Sequence, residues 1–192
     1  MSQWKYSRPR LFLAISEYVA QQLRNAGIAE VGITVVYDGV PVPAEPARGS
    51  AILIPATTDP EKGMALAEEA ARIAGVKVEF SSNLAADLPG AAVLIYLTRS
   101  EGLGSGILLA MAHGVSVIAS DVGGIPEIIK DGVNGILVQN EANSIAAALR
   151  RLTPELRLSM GRAARATVLE RFTEDRMVES TIVAYQRVVA HG

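Results

Sequence analysis

The chain has 192 residues, 49 % of them apolar and 20 % charged, enough to bury a core in one domain or a domain plus an appendage. Eighteen Lys plus Arg against 20 Asp plus Glu leave a net charge of −2, which argues against a nucleic-acid partner held by electrostatics. The absence of cysteine excludes disulfides, thiolate metal sites and cysteine nucleophiles, and no apolar run approaches the ~20 residues of a membrane span. Met1-Ser2-Gln3-Trp4-Lys5-Tyr6 lacks the apolar core of a signal peptide, so the expectation is a soluble cytoplasmic protein.

Short apolar runs alternate with longer amphipathic stretches. Leu11 to Ile15 reads as a strand, Ser16 as the cap of a helix from Glu17 to Asn25, and Gly27 as its stop. Ile33 to Tyr37 is a second strand, closed by Asp38-Gly39. Pro41, Pro43 and Pro46 make residues 40–50 an extended linker and place a boundary near residue 45.

Beyond it, Ala51 to Ile54 is a strand, and Asp59-Pro60 starts a helix that buries Met64, Ala67, Ala71 and Ala74 before stopping at Gly75. Val76 to Phe80, Val93 to Leu97, Val115 to Ala119 and Gly135 to Val138 are further strands. Ile125 to Lys130 reads as a short helix, and residues 143–190 as helical, divided at Pro154 and Gly161. Strands alternating with helices imply an α/β, Rossmann-like parallel sheet covered by helices on both faces. The seven arginines between Arg150 and Arg176 are interleaved with acids and read as solvated helix faces.

One stretch carries chemistry. After the strand ending at Leu97 come Glu101, then Gly102-Leu103-Gly104-Ser105-Gly106, then a helix rich in Leu, Ala and Met. A glycine turn opening a helix aims backbone N–H groups and a positive helix end at a phosphorylated ligand, while the acid can accept hydrogen bonds from sugar hydroxyls. Each feature also has a plainer reading. Acids stabilise helix starts anyway, and tight strand-to-helix turns need glycine regardless of ligand. Lys62 sits in the expected first turn of a helix, where a cation is mildly unfavourable. His113 reads as a helix-end packing residue, Glu127 as stabilising the helix it begins, and His191 lies next to the terminus. Two histidines without cysteine assemble neither a Ser-His-Asp set nor a metal cluster.

These residues fall in a family order. Ala14-Ile15-Ser16-Glu17-Tyr18-Val19, Val35-Val36-Tyr37-Asp38-Gly39-Val40, Pro60-Glu61-Lys62-Gly63, Ser100-Glu101-Gly102-Leu103-Gly104, Ala110-Met111-Ala112, Asp121 to Glu127 and Asp131 to Gly135 occur in sequence. The chain resembles the C-terminal, donor-binding half of group 1 (family 4) glycosyltransferases, which have the two-domain GT-B fold. The resemblance implies transfer of a hexosyl group from a nucleotide diphosphate sugar with retained anomeric configuration, without metal or other cofactor. It implies that Glu101 holds the sugar, and that Lys62 and the turn Gly102, Leu103, Gly104, Ser105, Gly106 hold the diphosphate. Residues 1–44 are then the end of an acceptor domain plus linker, and residues 45–192 the nucleotide-sugar domain.

The match departs at functional positions. The family's second glutamate, eight residues after the first, falls on Leu109, and the arginine five residues before its lysine falls on Thr57. The additional helix and strand that the family has between Phe80 and Ala92 are reduced to residues 81–90, and most of the acceptor domain is absent. One cation where two are expected slows departure of a diphosphate. These losses leave open a non-catalytic nucleotide-binding or assembly module descended from such an enzyme. A nicotinamide-binding domain is a third reading, with Gly102-x-Gly104-x-x-Ile107 followed by Asp121 at the end of the next strand. Unpaired strand edges in residues 1–45 predict a homodimer or a separate acceptor-domain subunit on that segment.

Overall fold

A computed structural model of the chain describes residues 11–190; the readings made on Met1 to Tyr6 and on His191 lie outside the described residues. Strands β1 (Phe12–Ala14) and β2 (Ile33–Val35) pair in parallel as a two-stranded sheet. Helix α1 (Glu17–Asn25) joins them, begun by the Ser16 hydroxyl accepting from Val19 N. The chain leaves it through Gly27 at φ +89°, a left-handed turn that suits glycine.

The main sheet holds β3 (Ala51–Pro55), β4 (Glu79–Ser81), β5 (Ala91–Tyr96), β6 (Ser116–Ser120) and β7 (Ile136–Val138), all parallel, in the order β4-β3-β5-β6-β7. Side chains alternate across it. Leu53, Leu94, Val117 and Ala119 face α4 (Ser105–Ala112) and α6 (Pro154–Arg171), while Ile54, Val93, Ile95 and Ile118 face α2 (Met64–Ala74) and α5 (Ala142–Arg151). The expected doubly covered α/β sheet is therefore present. Helix α4 is buried on nearly every side, with Ile107, Leu108, Ala110, Met111 and Ala112 fully enclosed. The chain closes with α7 (Glu174–Ala190).

Several expected boundaries are corrected. Asp59 and Pro60 do not open the long helix: they cap a separate 3-10 turn, Pro60–Lys62, and α2 begins after Gly63 at φ +61°. Within α2 the fully buried residues are Ala67, Ala70 and Ala71, with Met64 and Ala74 only partly covered. Val76 is outside a strand because its N–H bonds back to Ala71 O and closes α2, leaving β4 to begin at Glu79. The helix expected through Lys130 is a 3-10 turn, Ile125–Glu127. Asn134 explains the stop: its side chain accepts from Lys130 N at 2.7 Å and donates to Ile128 O at 3.1 Å, taking groups a helix would use. A short helix, α3 (Leu84–Asp87), occupies the reduced segment before β5.

Gly161 does not divide the C-terminal helices. It lies inside α6, where a Cβ would come within 2.0 Å of Gly114 O, so its missing side chain lets α6 cross the turn before β6. The break falls instead at Phe172 and Thr173, between α6 and α7. Nor are the arginines all solvated helix faces. Arg165 reaches the carbonyls of Ala112 and Pro43, Arg150 that of Ile73, and the Arg171 guanidinium stacks over Phe172 and Tyr37. The proline linker is accordingly laid along the sheet domain, with Ala47 N donating to His113 O at 2.7 Å.

Candidate functional site

The strand order turns about β3: β4 lies on one side of it and β5 on the other. In open parallel sheets, ligands bind at the carboxyl ends of strands flanking such a reversal. Here those ends carry the segments Ala56–Lys62 and Thr98–Gly104. Polar side chains, the buried Thr98 and Ser120 and the exposed Asn140, hold the second of them. Thr98 N donates to Ser120 Oγ at 2.9 Å, Asn140 Nδ2 donates to Thr98 O at 2.9 Å, and Thr98 Oγ1 donates to Ser100 O at 2.8 Å.

Glu101 and Lys62, 39 residues apart in sequence, meet there: Lys62 Nζ lies 3.4 Å from Glu101 Oε2. The carboxylate side chain is 19 % exposed and the ammonium side chain 39 %, so the pair sits at a mouth and not in the core. The same Oε2 accepts from Tyr96 OH at 2.9 Å, and Oε1 accepts from Gly102 N at 3.0 Å. Burial, and then the charge of Glu101, push the Tyr96 phenol well above its ordinary range, so it remains a neutral donor. Lys62 is presented by the capped 3-10 turn, which is docked on the neighbouring loop by Arg99 N donating to Glu61 O at 3.0 Å. A Cβ on Gly63 would lie 2.7 Å from Leu97 Cβ, so the turn approaches β5 only because that residue is glycine.

The rest of the glycine turn divides between structure and display. Gly102 O accepts from Ser16 Oγ at 2.7 Å, and a Cβ there would lie 3.0 Å from Ile15 Cδ1. The Leu103 side chain is fully buried. Gly104, at φ +107°, ends the turn and begins α4. A Cβ on Gly106 would lie 3.1 Å from Tyr96 Cε2. Among the described residues, no acceptor takes the N–H groups of Leu103, Gly104, Ser105 or Gly106. The Ser105 hydroxyl donates to Asp38 Oδ2 at 3.0 Å, across 67 residues.

Beside the pair lies a cleft of about 630 Å³, lined by Thr57, Thr58, Asp59, Met64, Thr98 and Asn140 among others. Neither Lys62 nor Glu101 lines it. Thr57 and Leu109, the two positions at which the resemblance implies other residues, are engaged in local structure. Thr57 Oγ1 accepts from Asp59 N at 3.0 Å, and Leu109 packs half-buried against the core. His113, 8 % exposed, has Nδ1 2.9 Å from Leu109 O and ends α4, the packing role expected of it.

Glu127 is a correction. Its carboxylate does not serve its own short turn: Oε2 accepts from Glu17 N at 2.9 Å, and Oε1 from Tyr18 N at 2.7 Å. Tyr37 OH donates to Oε2 at 3.0 Å. With Ser16 taking Val19 N, the first three amides of α1 are satisfied, two of them by an acid about 110 residues away. Sequence reasoning missed this role, and it missed Tyr96, whose one signal is a phenol near the end of an otherwise aliphatic strand. Among the described residues, no group of three His, Cys, Asp or Glu gathers as metal ligands, and no helix is long and apolar enough to cross a membrane.

Comparison with known proteins follows the same geometry. The family model described as "Glycosyl transferases group 1" matches residues 30–154. The chain is 37 % identical over 112 residues to alpha-maltose-1-phosphate synthase of Mycolicibacterium smegmatis, covering 54 % of this chain and 29 % of that protein. It is 44 % identical over 79 residues to D-inositol 3-phosphate glycosyltransferase of Streptomyces griseus, covering 40 % and 17 %. The chain thus spans under a third of the curated relatives it matches. Among solved structures, a Rickettsia africae glycosyltransferase superposes with a TM-score of 0.79 at 20 % identity, covering 99 % of this chain and 67 % of that one. Anabaena HepE, crystallised with UDP and glucose, gives 0.79 at 16 %, covering 94 % and 63 %. These structural matches share the fold. With the family model matching well over half of its length, the chain belongs to the group 1 glycosyltransferases.

Proposed function

We propose that this chain is the donor-binding half of a cytoplasmic, retaining glycosyltransferase of GT-B architecture. It takes a nucleotide diphosphate sugar and transfers the hexosyl group to a hydroxyl acceptor. The observation that carries the reading is the Lys62–Glu101 pair beside the unengaged amides that open α4. As the bond from the anomeric carbon to the phosphate oxygen breaks, charge accumulates on the departing diphosphate. Lys62 Nζ and the N–H groups of Leu103 to Gly106 are placed to receive it. Glu101, fixed by Tyr96 and Gly102 N, accepts from sugar hydroxyls and orients the ring while the acceptor oxygen bonds to the anomeric carbon and gives its proton to the departing phosphate oxygen. Residues 45–192 are the donor domain in this reading. Residues 1–44 correspond to the end of an acceptor half, and association through residues 1–45, with a second copy or a separate acceptor-domain subunit, is tested by light scattering at high concentration.

Turnover with UDP-glucose, after a thermal-shift screen of nucleotide sugars, tests the function. Glu101→Ala is expected to abolish transfer while leaving the melting temperature close to that of the parent; unchanged turnover refutes the assignment. A second reading is a binding module without chemistry. It is favoured by Thr57 and Leu109 standing where the family resemblance places an arginine and a glutamate, both engaged in local structure. Tight binding of UDP-glucose without any transfer or hydrolysis, in the presence of an acceptor half, supports that reading.

A further inference from the structure

Resting on the donor-site reading above, we propose that Asp38 sets the charge preference of that site, disfavouring a free nucleoside diphosphate more than its sugar ester. Its carboxylate reaches the first turn of α4, where Oδ2 accepts from Ser105 Oγ at 3.0 Å. That is the end of the helix whose amides face the proposed diphosphate. The acid is not on a loose strand of chain. On one side, Tyr37 is held by Glu127 at 3.0 Å and by the Arg171 guanidinium stacked on its ring. On the other, Val40 N donates to Phe172 O at 3.0 Å. Gly39 lies so close to Thr173 that a Cβ would come within 2.4 Å of its carbonyl oxygen. The segment that follows β2 therefore presents a fixed negative charge to a place where the helix end attracts anions.

The consequence follows from charge alone. A sugar ester of a diphosphate carries one negative charge fewer than the free diphosphate left after transfer, and the fixed carboxylate repels the product more than the donor. At about 6 Å and an effective dielectric of about 40, one added charge pair is worth about tenfold in affinity. Asp38 thus trades total affinity for release of product.

Calorimetric titration of the full chain with UDP, UDP-glucose and uridine at low salt tests this, comparing the parent with Asp38→Asn and Asp38→Glu. Asp38→Asn is expected to tighten UDP about tenfold more than it tightens UDP-glucose, leaving uridine unchanged, with the gain shrinking in 0.5 M salt. Asp38→Glu keeps the charge and is expected to show no gain, which separates charge from shape. Equal affinities of Asp38→Asn and the parent for UDP, with both binding it, overturn the proposal and leave the donor site standing. Absence of UDP binding in every variant at millimolar ligand overturns the donor-site reading and this inference with it.

Discussion

Replacing Glu127 by Ala removes one carboxylate that accepts from three donors on two elements: Glu17 N, Tyr18 N and Tyr37 OH. The size of the loss can be built from its parts. Loss of a cap at the start of α1 costs about 1 kcal/mol. Removing an anion from a helix N-terminus adds about 0.5–1 kcal/mol. Leaving a half-buried phenol without its charged acceptor adds about 1 kcal/mol. The sum is about 3 kcal/mol, which for a chain of this size lowers the melting temperature by about 6–12 °C. Ser16 still caps Val19, so α1 survives but loosens. Urea and thermal melts read the global term, and amide exchange at Glu17 and Tyr18 reads the local one. Glu127→Gln, which keeps an acceptor oxygen but no charge, should fall between the two. A Glu127→Ala protein within about 0.5 kcal/mol of the parent, with exchange in α1 unchanged, refutes the reasoning, because surface substitutions ordinarily stay inside that range.

Two further expectations come from the same contacts. The Tyr37 phenol is pushed up to about 12, chiefly by burial and then by its bond to Glu127. Its folded value is raised, so the stability it contributes is present in full below the unfolded value of about 10 and is lost as pH rises through about 12. Urea midpoints between pH 9 and 11.5 should therefore fall less steeply for Tyr37→Phe than for the parent, and parallel slopes count against the assignment. For Gly161→Ala, an unobstructed helix site would gain about 1 kcal/mol. Here the new Cβ meets a backbone oxygen at 2.0 Å, and the overpacking is expected to reverse the sign to a net loss of about 2 kcal/mol. A stabilised variant in thermal melts would show that α6 can shift away from Gly114.

Element types were readable where periodicity and end signals agreed. The apolar runs at Val93 to Leu97 and Val115 to Ala119 belong to buried central strands, while the Ser16 hydroxyl begins α1 and the left-handed backbone of Gly75 ends α2. The errors lie where a residue's local meaning is overruled by a distant partner. Gly161 weakens a helix in isolation, yet it continues one here because Gly114 packs against the space its side chain would fill. Asn134 sits beyond the expected helix and stops it from outside by taking Lys130 N. Asp59-Pro60 carries a good start signal, but the left-handed Gly63 that follows allows only one tight turn before α2 sets off in its own direction.

The candidate site has the same structure of success and failure. Glu101 and Lys62 were each identifiable beside a plausible turn, but their meeting depends on tertiary contacts: Gly63 against Leu97, and Arg99 holding the Glu61 carbonyl. Tyr96 was hidden inside an apolar run because only the burial of its ring, and not its position in the sequence, turns its hydroxyl toward Glu101. Glu127 makes the point most sharply. The expectation that an acid after a proline neutralises a helix start was sound electrostatics attached to the wrong helix. An anion goes where several orphan amides converge, and the 3-10 turn of Ile125–Glu127 is too short to offer a row of them. Helix α1 offers two within 2.9 Å, and accepting them ties the β1–α1–β2 unit to the sheet domain across about 110 residues. Local rules thus predict what kind of partner a charged group takes, while the fold decides which one, and the segment carrying Asp38 is held against α4 by that second decision.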